Sequence, residues 1–401
     1  MTDTTRQITF LKKQAQTNET PYLIDVDRAD GIYIWDKSGK RYMDMIAGVA
    51  VNNIGHRHPA VIAAIKEQVD QHLHVMVYGE YIQDAQLALA ENLASILPEQ
   101  LNCSYVVNSG TEAIEGALKL AKRYTGRSEI ISCKGSYHGS THGSMSVSAN
   151  EVKKAAYRPL LPLVKFITFN SIESLSIITE KTAVVIIEPI QGDAGVRIPS
   201  TDFLKALRAK CDEVGCLLLF DEVQTGFGRT GSFFAFERFG VVPDIITLGK
   251  ALGGGMPIGA FVSSTEIMKA LTHDPMLGHI TTFGGHPVCC AAANAAINVL
   301  KTENWIAEVE EKGALLERLI ATSNEVIEIR RAGLMFAIEM VSFDRVKLIV
   351  DHCLENGLIG FWFLSCPNSF RLSPPLSITN KEIEAAGKLI LAAISATENK
   401  I

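Results

Sequence analysis

A chain of 401 residues, 47% hydrophobic and 20% charged, is long enough for two domains and apolar enough to bury a large core. Its formal net charge is -6 and no basic run exceeds two residues, which argues against nucleic acid or an anionic membrane as partner. No apolar stretch reaches the length that spans a bilayer. The first 19 residues are polar, without a signal-peptide pattern, and eight scattered cysteines lacking any CxxC read as reduced thiols of a cytoplasmic protein.

In chain order, GIYIWDKSGKRYMDM at 31–45 reads as a hairpin. From about residue 100 to 265, short β-branched or leucine-rich runs alternate with turn residues and helical periodicity. The predicted strands are 104–108, 130–133, 183–187, 217–220, 245–248 and 259–263. The predicted helices include 111–125, with Ala113, Ile114, Ala117, Leu118 and Ala121 on one face, and 201–214. This alternation predicts an α/β domain with a large, mainly parallel sheet, whose ligands sit beyond the carboxyl ends of the strands. After about residue 290 the texture changes. Helices are expected over 291–301 and 305–323, strands over 327–331 and 334–340, a helix near 346–356 and a last helix from Asn380. These elements and the first 45 residues predict a small α+β domain built from both chain ends. The expected division is 46–286 for the large domain, and 1–45 with 287–401 for the small one.

Six polar features follow strands or open helices. In NSGTEA at 108–113 a strand gives way through Gly110 to a helix, whose free N–H groups suit a phosphate; a plain capped turn has the same look. In SYHGSTHG at 136–143, Tyr137 sits on a glycine-bounded turn and could stack on a planar ring, or merely line a polar loop. Glu188, in EPIQGDAG, ends an apolar strand. Asp221 in FDEVQTGFGRTG directly follows LLLF, where a carboxylate is costly unless a cation faces it. A protonated pyridine nitrogen would be such a cation; capping or metal binding would also place an aspartate there. Lys250 follows ITLG and precedes Ala-Leu and three glycines. A lysine there is a candidate nucleophile, because burial lowers its pKa and the glycines permit close backbone approach. Arg371, before two prolines in FRLSPPL, is either a carboxylate clamp or half of a structural ion pair.

Together these motifs resemble the class III (ω-) aminotransferases, the group of acetylornithine, ornithine and 4-aminobutyrate aminotransferases. The resemblance runs from GHRHP at 55–59 through NSGTEA, YHG, EPIQG, DEVQTGFGRTG, GKALGGG and TTFGGHP to RLSPP. It implies the fold type I architecture, a pyridoxal 5'-phosphate cofactor and a homodimer with shared active sites. It implies that Lys250 is the Schiff-base lysine, that Asp221 faces the pyridine nitrogen and that Gln224 reaches the ring hydroxyl. Val223 is then expected behind the ring, Tyr137 in front of it, and Glu188 at the edge of the site. Ser109, Gly110 and Thr111 are expected at the phosphate, with Thr282 from the neighbouring subunit. Arg371 is expected to bind a substrate carboxylate, with no metal.

Three departures matter. The turn usually reads HGR, its arginine gripping a substrate carboxylate; here it is His138-Gly139-Ser140. The acid that pairs with the C-terminal arginine is Asp193, shorter than the usual glutamate by about 1.5 Å. Val49 replaces the tyrosine of ornithine enzymes. The expected activity is transfer of an ω-amino group, from N-acetylornithine or a related amine, to 2-oxoglutarate or pyruvate. Competing readings are an aminomutase or racemase of the same fold, a metal hydrolase using His56, His58, His72, His74, His138 and His142, and a non-catalytic binding relative. The metal reading leaves Lys250 and the glycines unexplained.

Overall fold

The computed structural model describes residues 3–77 and 79–398. A seven-stranded sheet runs, in spatial order, Cys103–Val107, Gly259–Ser263, Ile245–Leu248, Leu217–Asp221, Thr182–Ile187, Glu129–Cys133 and Val164–Ile167. The last five of these pair in parallel, and only Gly259–Ser263 runs antiparallel to its neighbours. Every residue of Thr182–Ile187 and Leu217–Asp221 is buried, as expected where both faces of a parallel sheet are covered.

The six predicted strands are all present. The first ends one residue early, at Val107, because the backbone and side-chain amides of Asn108 both turn to Glu112 Oε2, at 2.7 and 2.9 Å. Val164–Ile167 was not predicted. It is a four-residue edge strand with an exposed Lys165, which pairs with Glu129 at 2.5 Å, so it carries little apolar pattern. Helix Gly110–Thr125 is capped by Ser109, whose Oγ accepts from Glu112 N at 3.3 Å, and ends at left-handed Gly126. It buries Ala113, Ile114, Ala117, Leu118 and Ala121 under the sheet. Helix Pro287–Thr302 starts four residues before the predicted 291, because Pro287 is preorganised for a first helical turn.

Two smaller four-stranded sheets lie outside this one. One joins Val26–Asp30, Tyr33–Asp36 and Arg41–Asp44 as an antiparallel meander and then adds Leu358–Ile359, parallel to Arg41–Asp44. The other is antiparallel and comprises Glu328–Ala332, Met335–Glu339, Ser369–Leu372 and Phe361–Trp362. Arg229, fully buried, ties these regions to the large sheet. Its guanidinium donates to Leu334 O at 3.0 Å, Pro374 O at 2.6 Å and the Asn53 side chain. Burial alone lowers its pKa to about 9.

Candidate active site

Segments that follow five strands of the large sheet, Cys103–Val107, Glu129–Cys133, Thr182–Ile187, Leu217–Asp221 and Ile245–Leu248, border one cavity of about 240 Å³, lined by Gly110, Thr111, Tyr137–Ser140, Glu188, Asp221, Val223–Thr225 and Lys250. Asp221 is the last residue of Leu217–Asp221, and Glu188 directly follows Thr182–Ile187. Lys250 lies two residues past Ile245–Leu248. Strand order thus brings together residues that are more than 100 apart in sequence.

Asp221 is 5% exposed and fully engaged. Its Oδ1 accepts from Val223 N at 3.0 Å and Thr247 Oγ1 at 3.4 Å, and its Oδ2 accepts from His138 Nδ1 at 2.7 Å. The tautomer that donates from Nδ1 leaves Nε2 buried and without a partner. His138 is held in turn by Ser148 Oγ, which accepts from its backbone N at 2.8 Å. The sequence reading offered His138 only as a metal ligand. The one signal in the sequence was its place beside Tyr137; the contact with Asp221 lies 83 positions away.

Glu188 positions two loops rather than facing the cavity with free oxygens. It accepts from Tyr137 N at 3.0 Å and Gly192 N at 2.8 Å. Burial raises its pKa to about 7, against the His138 charge, which lowers it. Lys250 has a left-handed backbone, φ 46°, which is strained for a non-glycine residue. Its amine makes one long contact, 3.3 Å to Gln224 Oε1. Burial lowers its pKa to about 8, although Asp221 acts in the opposite sense. The amine is therefore uncharged in an appreciable fraction near neutrality, as a nucleophile and proton carrier requires.

At the other end of the cavity, the start of helix Gly110–Thr125 meets a cluster of hydroxyls. Thr111 Oγ1 lies 2.8 Å from Thr141 Oγ1 and 2.6 Å from Ser144 Oγ. Glu115, one turn along the helix, holds that loop through Gly143 N at 2.8 Å, Ser144 N at 3.1 Å and the Thr141 hydroxyl. Gly110 packs so tightly that an added Cβ would lie 2.8 Å from Val223 Cγ1. SYHGSTHG was singled out from sequence for Tyr137, but the hydroxyls of Thr141 and of Ser144 just beyond it were not.

The remaining expected residues fall elsewhere. Ser109 caps the helix and does not line the cavity. Val49, expected at the substrate, sits in a left-handed turn, φ 68°, outside the lining. Its segment instead binds the chain just past Arg371, with Ser373 N donating to Met45 O at 2.7 Å and Leu376 N to Asn53 O at 2.7 Å. Thr282 is exposed and away from its own chain's cavity, its carbonyl 2.9 Å from His74 Nε2. Asp193 does not pair with Arg371. It accepts from Leu364 N at 3.2 Å and Ser365 Oγ at 2.6 Å, because its short side chain is captured by that loop. Arg371 is 8% exposed, lies over the rings of Phe361 and Phe363, and leaves Nε without a partner. Burial lowers its pKa.

The histidines of the metal reading disperse. His56 pairs with Asp44 at 2.8 Å, His58 caps Pro59–Gln71, and His74 packs 5.8 Å from His286 and 5.1 Å from Phe283. Among the described residues no three His, Cys, Asp or Glu side chains are grouped so as to hold a metal ion. The cavity does fit pyridoxal phosphate: a hydrogen-bonded carboxylate for a ring N–H, a lysine amine, and a hydroxyl-lined helix start for a phosphate.

Residues 14–394 match the family model of class III aminotransferases. The acetylornithine aminotransferase of Methanopyrus kandleri is 40% identical over 89% of this chain and 90% of its own. In structure, the ornithine aminotransferase of Toxoplasma gondii superposes with a TM-score of 0.92 at 29% identity, covering 100% of this chain and 97% of its own. An amine transaminase from an uncultivated Pseudomonas species, in its pyridoxal-phosphate-bound form, superposes with a TM-score of 0.88 at 28% identity, covering 96% and 98%.

Proposed function

Because the chain belongs to the class III aminotransferases, we propose that it moves the ω-amino group of a carboxylated amine, N-acetylornithine or a close analogue, to a 2-oxo acid. It is a pyridoxal-phosphate-dependent aminotransferase of fold type I. One observation carries the carboxylate reading: a buried arginine, Arg371, that no carboxylate pairs with among the described residues. A buried cation without its counter-ion is costly, and a substrate carboxylate answers it. The name of the Methanopyrus relative supplies the donor class.

The bound cofactor supplies an electron sink for the charge left when a proton leaves the substrate carbon. The protein residues do the rest. Lys250 would hold the cofactor through its amine and, when that amine is free, would carry the proton that the substrate carbon gives up. Asp221, oriented by Val223 N and His138, would face the ring nitrogen and pair with its proton. Gln224 would orient the ring hydroxyl, and Val223 and Tyr137, which also line the cavity, would pack against the ring. Gly110 and Thr111 bind the phosphate with backbone and hydroxyl donors, and Ser109 caps the helix that presents them. Glu188 fixes the Tyr137 turn. Arg371 orients the substrate by its carboxylate.

We read the enzyme as a homodimer in which Thr282 of the partner subunit completes the phosphate site. Exposed Met276, Leu277, Ile280 and Phe283, together with Tyr81 and Ile82, support a covered face there. We also assign 46–286 to a cofactor domain and 1–45 with 287–401 to a small domain. The pairing of Leu358–Ile359 with Arg41–Asp44 supports that grouping. Eight free thiols support a cytoplasmic enzyme.

The test is the absorbance spectrum of the purified protein with pyridoxal phosphate, before and after N-acetylornithine is added without any oxo acid. The bound-cofactor band should give way to that of the aminated form. A protein that binds no cofactor defeats the assignment. A band present but unmoved defeats the donor alone and directs attention to simple amines and β-amino acids.

A further inference from the structure

We infer that Tyr22 is a positioning residue for Arg371: its hydroxyl and ring hold the short strand on which the guanidinium rests, so the N-terminal segment tunes how tightly a substrate carboxylate is bound. This inference rests on the reading of Arg371 proposed above and deepens it.

Arg371 takes its direction from aromatic rings. Its guanidinium lies 5.4 Å from the ring centre of Phe361 and 5.8 Å from that of Phe363, and its Nε has no partner. With no carboxylate paired to it, the cation follows the rings beneath it. The main chain does little to fix Phe361. It belongs to Phe361–Trp362, a two-residue strand at the edge of its sheet, where Phe361 is in register with Arg371 and Trp362 with Phe370. Two register pairs are a small ladder, well below the usual strand length.

Tyr22 supplies what the ladder lacks. Gly360 is buried between Leu358–Ile359 of one small sheet and Phe361–Trp362 of the other, and neither set of register pairs includes it. A buried carbonyl at such a crossing needs a donor. The Tyr22 hydroxyl donates to Gly360 O at 2.8 Å, across 338 positions of chain. The Tyr22 ring then meets both aromatic residues of the strand edge-on, Phe361 at 5.7 Å and 66° and Trp362 at 6.2 Å and 81°. Those two rings stack on each other at 4.3 Å and 16°. Edge-to-face contacts of this kind favour one mutual orientation. One residue thus fixes the backbone of the strand through a carbonyl and its side chains through their rings. Tyr22 does not line the cavity, so it acts on a substrate only through Arg371.

The test is the half-reaction of the holoenzyme with N-acetylornithine, followed in the absorbance of the bound cofactor, which separates apparent Kd from limiting rate. Tyr22→Phe keeps the ring and loses only the hydroxyl. Its apparent Kd is expected to rise about fivefold, the weight of one hydrogen bond between uncharged groups, while the limiting rate and cofactor Kd stay as they were. In an Arg371→Gln background the same change is expected to add nothing, because the two residues form one unit. Calorimetry with pentanoate, an unreactive carboxylate, is expected to show the same weakening in Tyr22→Phe without any turnover. Unchanged pentanoate affinity in Tyr22→Phe overturns the inference and leaves the aminotransferase reading intact. A loss that appears equally in limiting rate or cofactor Kd, or that persists undiminished in the Arg371→Gln background, makes Tyr22 merely structural and overturns it too. A wild-type holoenzyme that binds no pentanoate defeats the proposed role of Arg371, and the inference with it.

Discussion

Asp221 and Arg371 are both buried charges, yet the protein treats them in opposite ways. Asp221 is saturated from behind by Val223 N, Thr247 and His138, and His138 is itself held by Ser148. Arg371 rests on two aromatic rings, with Nε unpartnered, and the acid beside it is bound to another loop. A group that must hold one cofactor through every cycle gains from a rigid network. A group that must accept and release two different substrates needs its donors free. On the proposed function the two regions would divide the labour: the strand ends would hold the cofactor, and the small antiparallel sheet and its loops would select what reacts.

The strongest way to break this contrast is at the group between them. Lys250→Ala removes both the anchor and the proton carrier, and kcat is expected to fall by about 10,000-fold or more. Far-ultraviolet circular dichroism should remain native, since the amine's contact with the protein is one long bond, 3.3 Å to Gln224 Oε1. Near-wild-type turnover would show that another residue moves the proton. Next in size, Arg371→Gln is expected to raise KM for carboxylated substrates by roughly tenfold to a hundredfold, the weight of a lost charge-assisted bond. Its cofactor affinity should stay as it was, and an unaltered KM would place the carboxylate elsewhere. The smallest and most selective change is His138→Asn, which keeps a polar side chain but removes the imidazole behind Asp221. Cofactor Kd, from titration of the apoprotein, is expected to rise on the order of tenfold, with little change in substrate KM. If KM moved and Kd did not, the two regions would not be separable as described.

Much of this was legible in order along the chain. Apolar runs and turn residues marked six strands of the large sheet, because a strand buried on both faces must be continuously apolar. Asp221 and Glu188 stood out because each closes such a run, where a buried carboxylate needs a reason, and Lys250 because it closely follows one and precedes three glycines. The edge strand Val164–Ile167 was not legible, since its exposed Lys165 breaks the pattern. His138 was visible only as a polar residue in a loop. Its role depends on Asp221, 83 positions away, and no local pattern reports a contact at that separation.

The sequence by itself determined the alternation of strands and helices, the residues that close each strand, and the absence of an arginine at Ser140. Those are properties of residue type and spacing, and they do not depend on what lies across the fold. Only the tertiary structure decided that Asp193 turns to Leu364 and Ser365 instead of Arg371, and that Lys154 is consumed by its own loop. Each of these is a competition among neighbours for one charge, settled by distances of a few ångströms between segments that the sequence keeps far apart.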